Sequence, residues 1–406
     1  MIAVGVPAFL LKFFTYGKDI AFLILFLLSI FNMRYFDKLS ILFLCFLSIN
    51  FLYLFVNDLS MSVKLYAFRP YLYMVSTFLA FRYAANISIE KLHFFLKSIL
   101  VCIFFLSLWS IFTAYTIGYF EFFSSTKYLQ AYSEISGTVS YSSNLLDDFY
   151  TFEGLLGYRL RDLGNSFLSY GNYVAICTII TFSYLITNTK SVVKNNKWYF
   201  IFFLACLFMS FSRTATIFTL LFLMYICVRL NRGLPYVFLF ILAGIGTIIY
   251  FWDIFYYMYE RTYWELFVND WVASPNLHTG GWMLFIKELT TNPLGNGFGY
   301  SAEVVSYFDL RIVPKVALMM QGTILSNTGI IGLLLFCMIM IYLLKIARKL
   351  FYQYPAESII LEGTLFIYFM IGLTKPAPSD YYFLLFLYSI SGILAQYYFL
   401  QKKHES

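Results

Sequence analysis

Charge is scarce in this chain. Only 12 % of its 406 residues are Asp, Glu, Lys or Arg, and 61 % are hydrophobic. A soluble globular chain is about 25 % charged and roughly 45–50 % apolar. So little charge cannot cover so much apolar surface in water. The composition therefore excludes a soluble domain and predicts one integral membrane domain over residues 1–406. Cysteine is sparse too. All six cysteines (Cys45, Cys102, Cys177, Cys206, Cys227 and Cys337) fall inside apolar runs, which excludes a disulfide framework and a Cys-ligated metal site. There are three histidines, and His278 stands with no His, Cys or paired carboxylate at ligand spacing, so no metal and no other cofactor is expected. Internal repeats and low-complexity tracts are missing. The N-terminal MIAVGVPAFLLKFF has neither a basic leader nor a small-residue cleavage site, so it does not read as a cleaved signal peptide.

What the chain has is long apolar runs. About 20 apolar residues cross the roughly 30 Å hydrocarbon core as a helix. Runs at 20–34, 39–56, 64–84, 92–119, 166–187, 198–212, 214–230, 234–252, 316–344, 357–374 and 381–400 predict eleven spans. A shorter run at 2–16 predicts a twelfth. The fold class is thus all-α and polytopic.

The net charge of +7 is no nucleic-acid signature, because in a membrane protein Lys and Arg gather in cytoplasmic loops. Six basic groups do so here: Arg34 with Lys38, Lys91 with Lys97, Lys190 with Lys194 and Lys197, Arg229 with Arg232, Lys345 with Arg348 and Lys349, and Lys402 with Lys403. Alternating crossings put all six on one side. With the twelfth span, both chain ends are expected there as well. Two long loops, 120–165 and 253–315, then face outward, and both carry more acids than bases. The 48 Phe and 36 Tyr are chiefly bilayer filler and interfacial belts, with sugar stacking open only to those in the outer loops.

The segment 198–230 is too long for one simple crossing, and basic loops flank it on both sides. It reads as a hairpin of two short helices, each about 22–26 Å long. Its turn, Phe211-Ser212-Arg213-Thr214, is expected below the outer surface. An ionised side chain at membrane depth costs several kcal/mol unless it is paired or lines a wet cavity. Arg213 offers a permanent charge and a planar fork suited to phosphate oxygens. Arg69, followed by Pro70, is a second phosphate ligand or a structural ion pair. Arg82, near the other end of that helix, reads as a snorkelling side chain. In the first outer loop, Arg159 and Arg161 precede a Gly-Asn-Ser turn into a helix, a pattern that suits an anion. Asp162 and Glu153 are possible partners or bases. The second outer loop holds Arg261 in an amphipathic stretch, Arg311, Lys315 and His278. His278 is the one group of either long loop with an ordinary pKa near neutrality. The Asn292–Gly299 stretch, NPLGNGFG, is a run of turn formers, and without a βαβ context it is not a nucleotide loop.

Four stretches, taken in order, resemble the O-antigen polymerase (Wzy-type) and ligase superfamily of bacterial inner membranes. They are YRLRDLGNSFLSYGNYVA, MSFSRTATIF, HTGGWMLFIKELTTNPLGNGFGYS and ILSNTGIIGLLLF, and together they span roughly 155–345. The resemblance implies a metal-independent glycosyltransferase of the GT-C type. Such an enzyme joins oligosaccharide repeat units carried on undecaprenyl pyrophosphate, which serve as donor and acceptor at the periplasmic face. Arg213, Arg261 and His278 are the catalytic candidates it implies. Arg69, Arg159, Arg161, Asp162, Glu153, Arg311 and Lys315 are the candidates for binding pyrophosphate and glycan. A flippase and a chain-length regulator are the implied partners, beside membrane lipid. Two positions depart from the family pattern. Gly281 stands where an Arg often follows Thr-Gly, and Arg261 is expected to do that work. Ligases usually carry a His shortly before the fourth stretch, whereas VALMMQGTILSNTG has none, which favours polymerase over ligase. A lipid-linked sugar flippase is the alternative from another class, but it would favour two similar halves with broken helices.

Overall fold

The computed structural model describes residues 8–33, 36–83, 89–112, 167–189, 192–210, 212–231, 285–300, 319–373 and 381–405. Of Arg213 it describes the backbone alone. Ten long helices carry this part of the chain: α1 (Ala8–Phe31), α2 (Lys38–Leu52), α3 (Met61–Tyr83), α4 (Ile89–Phe112), α5 (Phe167–Ile186), α6 (Asn196–Met209), α7 (Arg213–Leu230), α8 (Met320–Leu350), α9 (Pro355–Gly372) and α10 (Tyr381–Glu405). A 3-10 turn, Tyr53–Phe55, extends α2, and residues 285–291 are helical. The described residues contain no strand. Lys38–Phe55, Ile89–Phe112, Met320–Leu350, Pro355–Gly372 and Phe383–Leu400 are long and apolar enough to cross a membrane, and α5 to α7 are shorter apolar helices. Large apolar side chains such as Phe31, Phe94, Trp198, Val228 and Ile341 stand on the outside of the bundle. That surface is a liability in water and ordinary in lipid, so the architecture fits a polytopic membrane protein.

Local rules set the helix ends. Asp37 caps α2 by accepting from the Ser40 amide at 2.8 Å. Pro355 opens α9, where its missing N–H has no intrahelical use. Asn195 before α6 and Asn231 after α7 both take left-handed backbone angles. Packing then relies on small residues and rings, as between membrane helices. A Cβ on Gly392 of α10 would sit 2.6 Å from the Phe78 carbonyl oxygen of α3, so these two helices meet backbone to backbone. Phe43 stacks on Phe78 at 3.9 Å and meets Tyr388 edge-on at 5.8 Å, which joins α2, α3 and α10.

One end of the bundle gathers the basic groups. There Arg82 and Tyr83 meet Asp37 and Ser40, His93 meets Glu357 and Tyr184, Arg229 meets Glu362, and Lys349 donates to Tyr398 at 3.1 Å. The opposite end holds residues 53–60, the α6–α7 turn, the 285–300 segment and the start of α8. The described helices alternate in direction as the basic clusters require.

Three expectations need correction. Residues 2–16 and 20–34 are not two spans, because Ala8–Phe31 is one helix of 24 residues. Gly17, Lys18 and Asp19 separate the two apolar runs, yet Asp19 stays inside the helix because it pairs with Arg69 at 3.0 Å and accepts from Tyr73. The Ala8 end of α1 and the Glu405 end of α10 consequently lie at opposite ends of the bundle. Arg82 does not snorkel: it is fully buried, 2.9 Å from Asp37 and 4.6 Å from the Phe399 ring. The expected span at 316–344 is present from Met320 onward. Its helix, Met320–Leu350, is broken at Gly329, where φ is +67° and ψ is −168°. The expected span 234–252 and the two long loops, apart from 285–300, lie outside the described residues.

Candidate functional site

Two assemblies at the end opposite the basic groups carry polar chemistry. The first is the hairpin turn. α6 has 14 residues, or about 21 Å, and α7 has 18. The arms pack on α5 more than on each other. Ser210 closes α6: its amide bonds the Cys206 carbonyl at 2.9 Å and its hydroxyl the Leu207 carbonyl at 2.7 Å. The Ser212 amide donates back to the Ser210 hydroxyl at 3.3 Å. Thr216 of α7 donates its hydroxyl to Leu207 of α6 at 3.3 Å, which ties the arms together at the turn. α5 supplies the floor. A Cβ on Gly171 would stand 2.5 Å from Ser212 Cβ, so only glycine lets the turn come this close.

Ser212 occupies the N-cap position of α7 but makes no capping bond. It is 1 % exposed, and its hydroxyl finds no partner among the described residues. An unmatched buried polar group of this kind costs about 1–3 kcal/mol. It lies beside the N-terminal amides of an 18-residue helix whose first residue is Arg213. Such an end attracts anions through its amides and its dipole. The expected turn is therefore present, with Arg213 as the first residue of the helix rather than inside the loop.

The second assembly is the break in α8. A helix broken inside a bundle leaves amides and carbonyls that must be satisfied within the protein. The Asn292–Gly299 loop does this. The Pro293 carbonyl accepts from the Ile330 amide at 2.8 Å, and the Asn296 amide donates to the Ser326 carbonyl at 2.6 Å. Gly329 is the pivot: a Cβ there would meet the Leu294 carbonyl carbon and oxygen at 2.5 Å. The loop is held from its other side by α2 and its 3-10 turn. Asn57 donates to the Asn296 and Phe298 carbonyls at 3.1 and 2.9 Å, and Tyr53 to the Leu294 carbonyl at 2.6 Å. Phe298 is fully buried and meets Tyr71 and Phe68 edge-on. The Asn296 amide group also donates to the buried carboxylate of Glu288, while its oxygen accepts from Asn292 at 2.5 Å. On the α8 side, Asn327 donates to the Tyr71 hydroxyl at 3.1 Å, and its own oxygen is buried without a partner among the described residues.

Of the candidates named from sequence, Arg69 takes the structural alternative, paired with Asp19 and lying 5.3 Å from the Tyr66 ring. Arg213 heads α7. Arg261, His278, Arg159, Arg161, Asp162, Glu153, Arg311 and Lys315 lie outside the described residues. Sequence reasoning missed Glu288, Asn296 and Asn57. It also missed the carboxylates at the basic end, Glu357 and Glu362, although acids inside an apolar run are themselves a signal. No protein-family model matches the chain, and no curated protein matches it either.

Proposed function

We propose that this protein is an O-antigen polymerase of the Wzy type: a polytopic inner-membrane glycosyltransferase that extends a glycan on undecaprenyl pyrophosphate at the periplasmic face. The observation that carries this reading is the α6–α7 turn, where Arg213 and a Ser212 hydroxyl unmatched among the described residues open a helix on a glycine floor. The positive-inside rule makes the basic end cytoplasmic, and the turn then opens toward the periplasm. At about 21 Å, α6 is shorter than the roughly 30 Å hydrocarbon core, so the turn lies recessed, at the depth a lipid-linked pyrophosphate reaches. A further support is how the four stretches with the family resemblance meet. Gly171 of the first touches Ser212 of the second, and Asn292–Gly299 of the third clasps Gly329 of the fourth.

The chemistry follows from charge. A hydroxyl oxygen of the incoming unit's terminal sugar attacks the donor's reducing-end carbon. The bond from that carbon to the pyrophosphate oxygen breaks, and undecaprenyl pyrophosphate departs with the electron pair. The hydroxyl proton passes to a base, for which His278, Glu153 and Asp162 are the candidates, or to the leaving group. Fixed cations and helix amides stabilise the negative charge that develops on the departing oxygens. Arg213 supplies this at the turn, with Arg261 and Arg159 or Arg161 contributed by the outer loops.

Deleting the gene is expected to leave lipopolysaccharide capped with a single repeat unit, read as one band above the core on a gel. Complementation with Arg213→Ala is expected to lower chain extension by about 10²-fold, as removing one transition-state donor does, with the protein still in the membrane. Loss of every repeat unit on deletion would instead favour a ligase or a flippase. An unchanged long ladder with Arg213→Ala would sink the site assignment.

A further inference from the structure

A groove of about 490 Å³ runs along the bundle from its basic end. α9 forms its floor, while α7 and α8 form its walls and pack on α9 rather than on each other. Leu221 and Phe222 line one wall, Met340 and Leu344 the other, and Leu365 and Phe369 the floor. The lining is apolar except at one end, where Arg348, Glu362 and Tyr225 stand. Glu362 is buried and already matched by Arg229 at 2.5 Å, with Tyr225 donating at 3.4 Å. Arg348 lies 3.8 Å from the same carboxylate and is 58 % exposed. Two guanidinium groups therefore share one carboxylate, and the mouth keeps a net positive charge. Lys345, one turn back along α8, is exposed on the same stripe as Ile341 and Arg348 and adds to it.

We propose that this groove binds an anionic phospholipid, with one acyl chain along the α7–α9–α8 trough and the phosphate at Arg348 and Lys345. Charge complementarity selects this occupant. The apolar channel takes a chain, a basic mouth at the end of a membrane bundle takes a phosphate, and a neutral headgroup gains nothing from the surplus cation. The volume lies in the roughly 300–1,000 Å³ range of ligand sites. The site is independent of the glycosyltransferase reading, since its charged mouth lies at the basic end and it shares no residue with the hairpin turn.

The test is native mass spectrometry of the full-length protein in detergent, titrated with phosphatidylglycerol and, separately, with phosphatidylcholine of the same acyl chains. Phosphatidylglycerol is expected to bind more tightly. Arg348→Ala is expected to weaken it about five-fold, the effect of one cation beside a headgroup, and Arg348→Lys to restore it. A second variant, Leu344→Trp, fills the trough and is expected to lower binding of both lipids while leaving the mouth charge intact. Equal affinity for the two lipids, or unchanged phosphatidylglycerol binding in both Arg348→Ala and Leu344→Trp, would overturn the proposal. A groove that takes up neither lipid would overturn it too, and would point to another protein surface as the occupant.

Discussion

Gly329→Ala is expected to unfasten the end of the bundle opposite the basic groups. At φ +67° and ψ −168° this residue sits in a region that essentially only glycine occupies. Holding a side-chain-bearing residue there costs about 1–3 kcal/mol. A second cost adds to the first, because the new Cβ would lie 2.5 Å from the Leu294 carbonyl carbon and oxygen. Those are backbone atoms, and they cannot retreat without stretching the Ile330-to-Pro293 and Asn296-to-Ser326 hydrogen bonds. The loop has no slack, since Asn57, Tyr53 and Phe298 pin its other side to α2 and α3. We expect a loss of about 3 kcal/mol or more in the local clasp, each lost backbone bond adding about 1 kcal/mol. Limited proteolysis is then expected to cut within residues 285–300 faster than in the native protein. A variant that resists proteolysis as the native protein does would mean that the break in α8 is not held by this loop.

Removing one partner of the Arg82–Asp37 pair is expected to destabilise the basic end by about 3–5 kcal/mol, because it strands a buried charge. Arg82 is fully buried, with Nε and Nη2 at 3.3 and 2.9 Å from the same Asp37 oxygen. Asp37→Ala should cost about 1 kcal/mol more than Arg82→Ala, since Asp37 also caps α2 through Ser40. The double variant Arg82→Met with Asp37→Ser should regain most of the loss. It removes both charges together, and the serine keeps a capping oxygen. Thermal unfolding in detergent reads all three. If the double variant were as unstable as the worse single one, the pair would act through packing rather than charge.

How much of this was legible from sequence depended on where each residue's partner lies. The α6–α7 hairpin was readable because its evidence is local: basic residues on both flanks and a length that fits two short arms. α1 was misread because the partner of Asp19 is Arg69, fifty positions away, and an unpaired Gly-Lys-Asp looks like a loop. Arg82 was misread for the same reason, since Asp37 reaches it from another helix. The break at Gly329 leaves no local mark either. ILSNTGIIGLLLF holds Ser326, Asn327 and Thr328 inside an otherwise apolar run, a pattern that an unbroken helix also tolerates, and the backbone groups that permit a break come from Pro293 and Asn296. The motifs NPLGNGFG and NTGIIG were each visible as strings. That they are two halves of one clasp became apparent only in three dimensions.

In the function proposed above, the chain polymerises lipid-linked repeat units using a cation at the start of α7. The most direct measurement reconstitutes the full-length protein in vesicles with polyprenyl-pyrophosphate-linked oligosaccharide units. Mass spectrometry then follows glycan length together with released polyprenyl pyrophosphate. Products of two, three and more units are expected, with one lipid pyrophosphate released per bond formed. A rate about 10²-fold lower is expected in Arg213→Ala at an unchanged melting temperature. Products that never exceed a single unit, or an Arg213→Ala protein that elongates as fast as the native one, would contradict the proposed function.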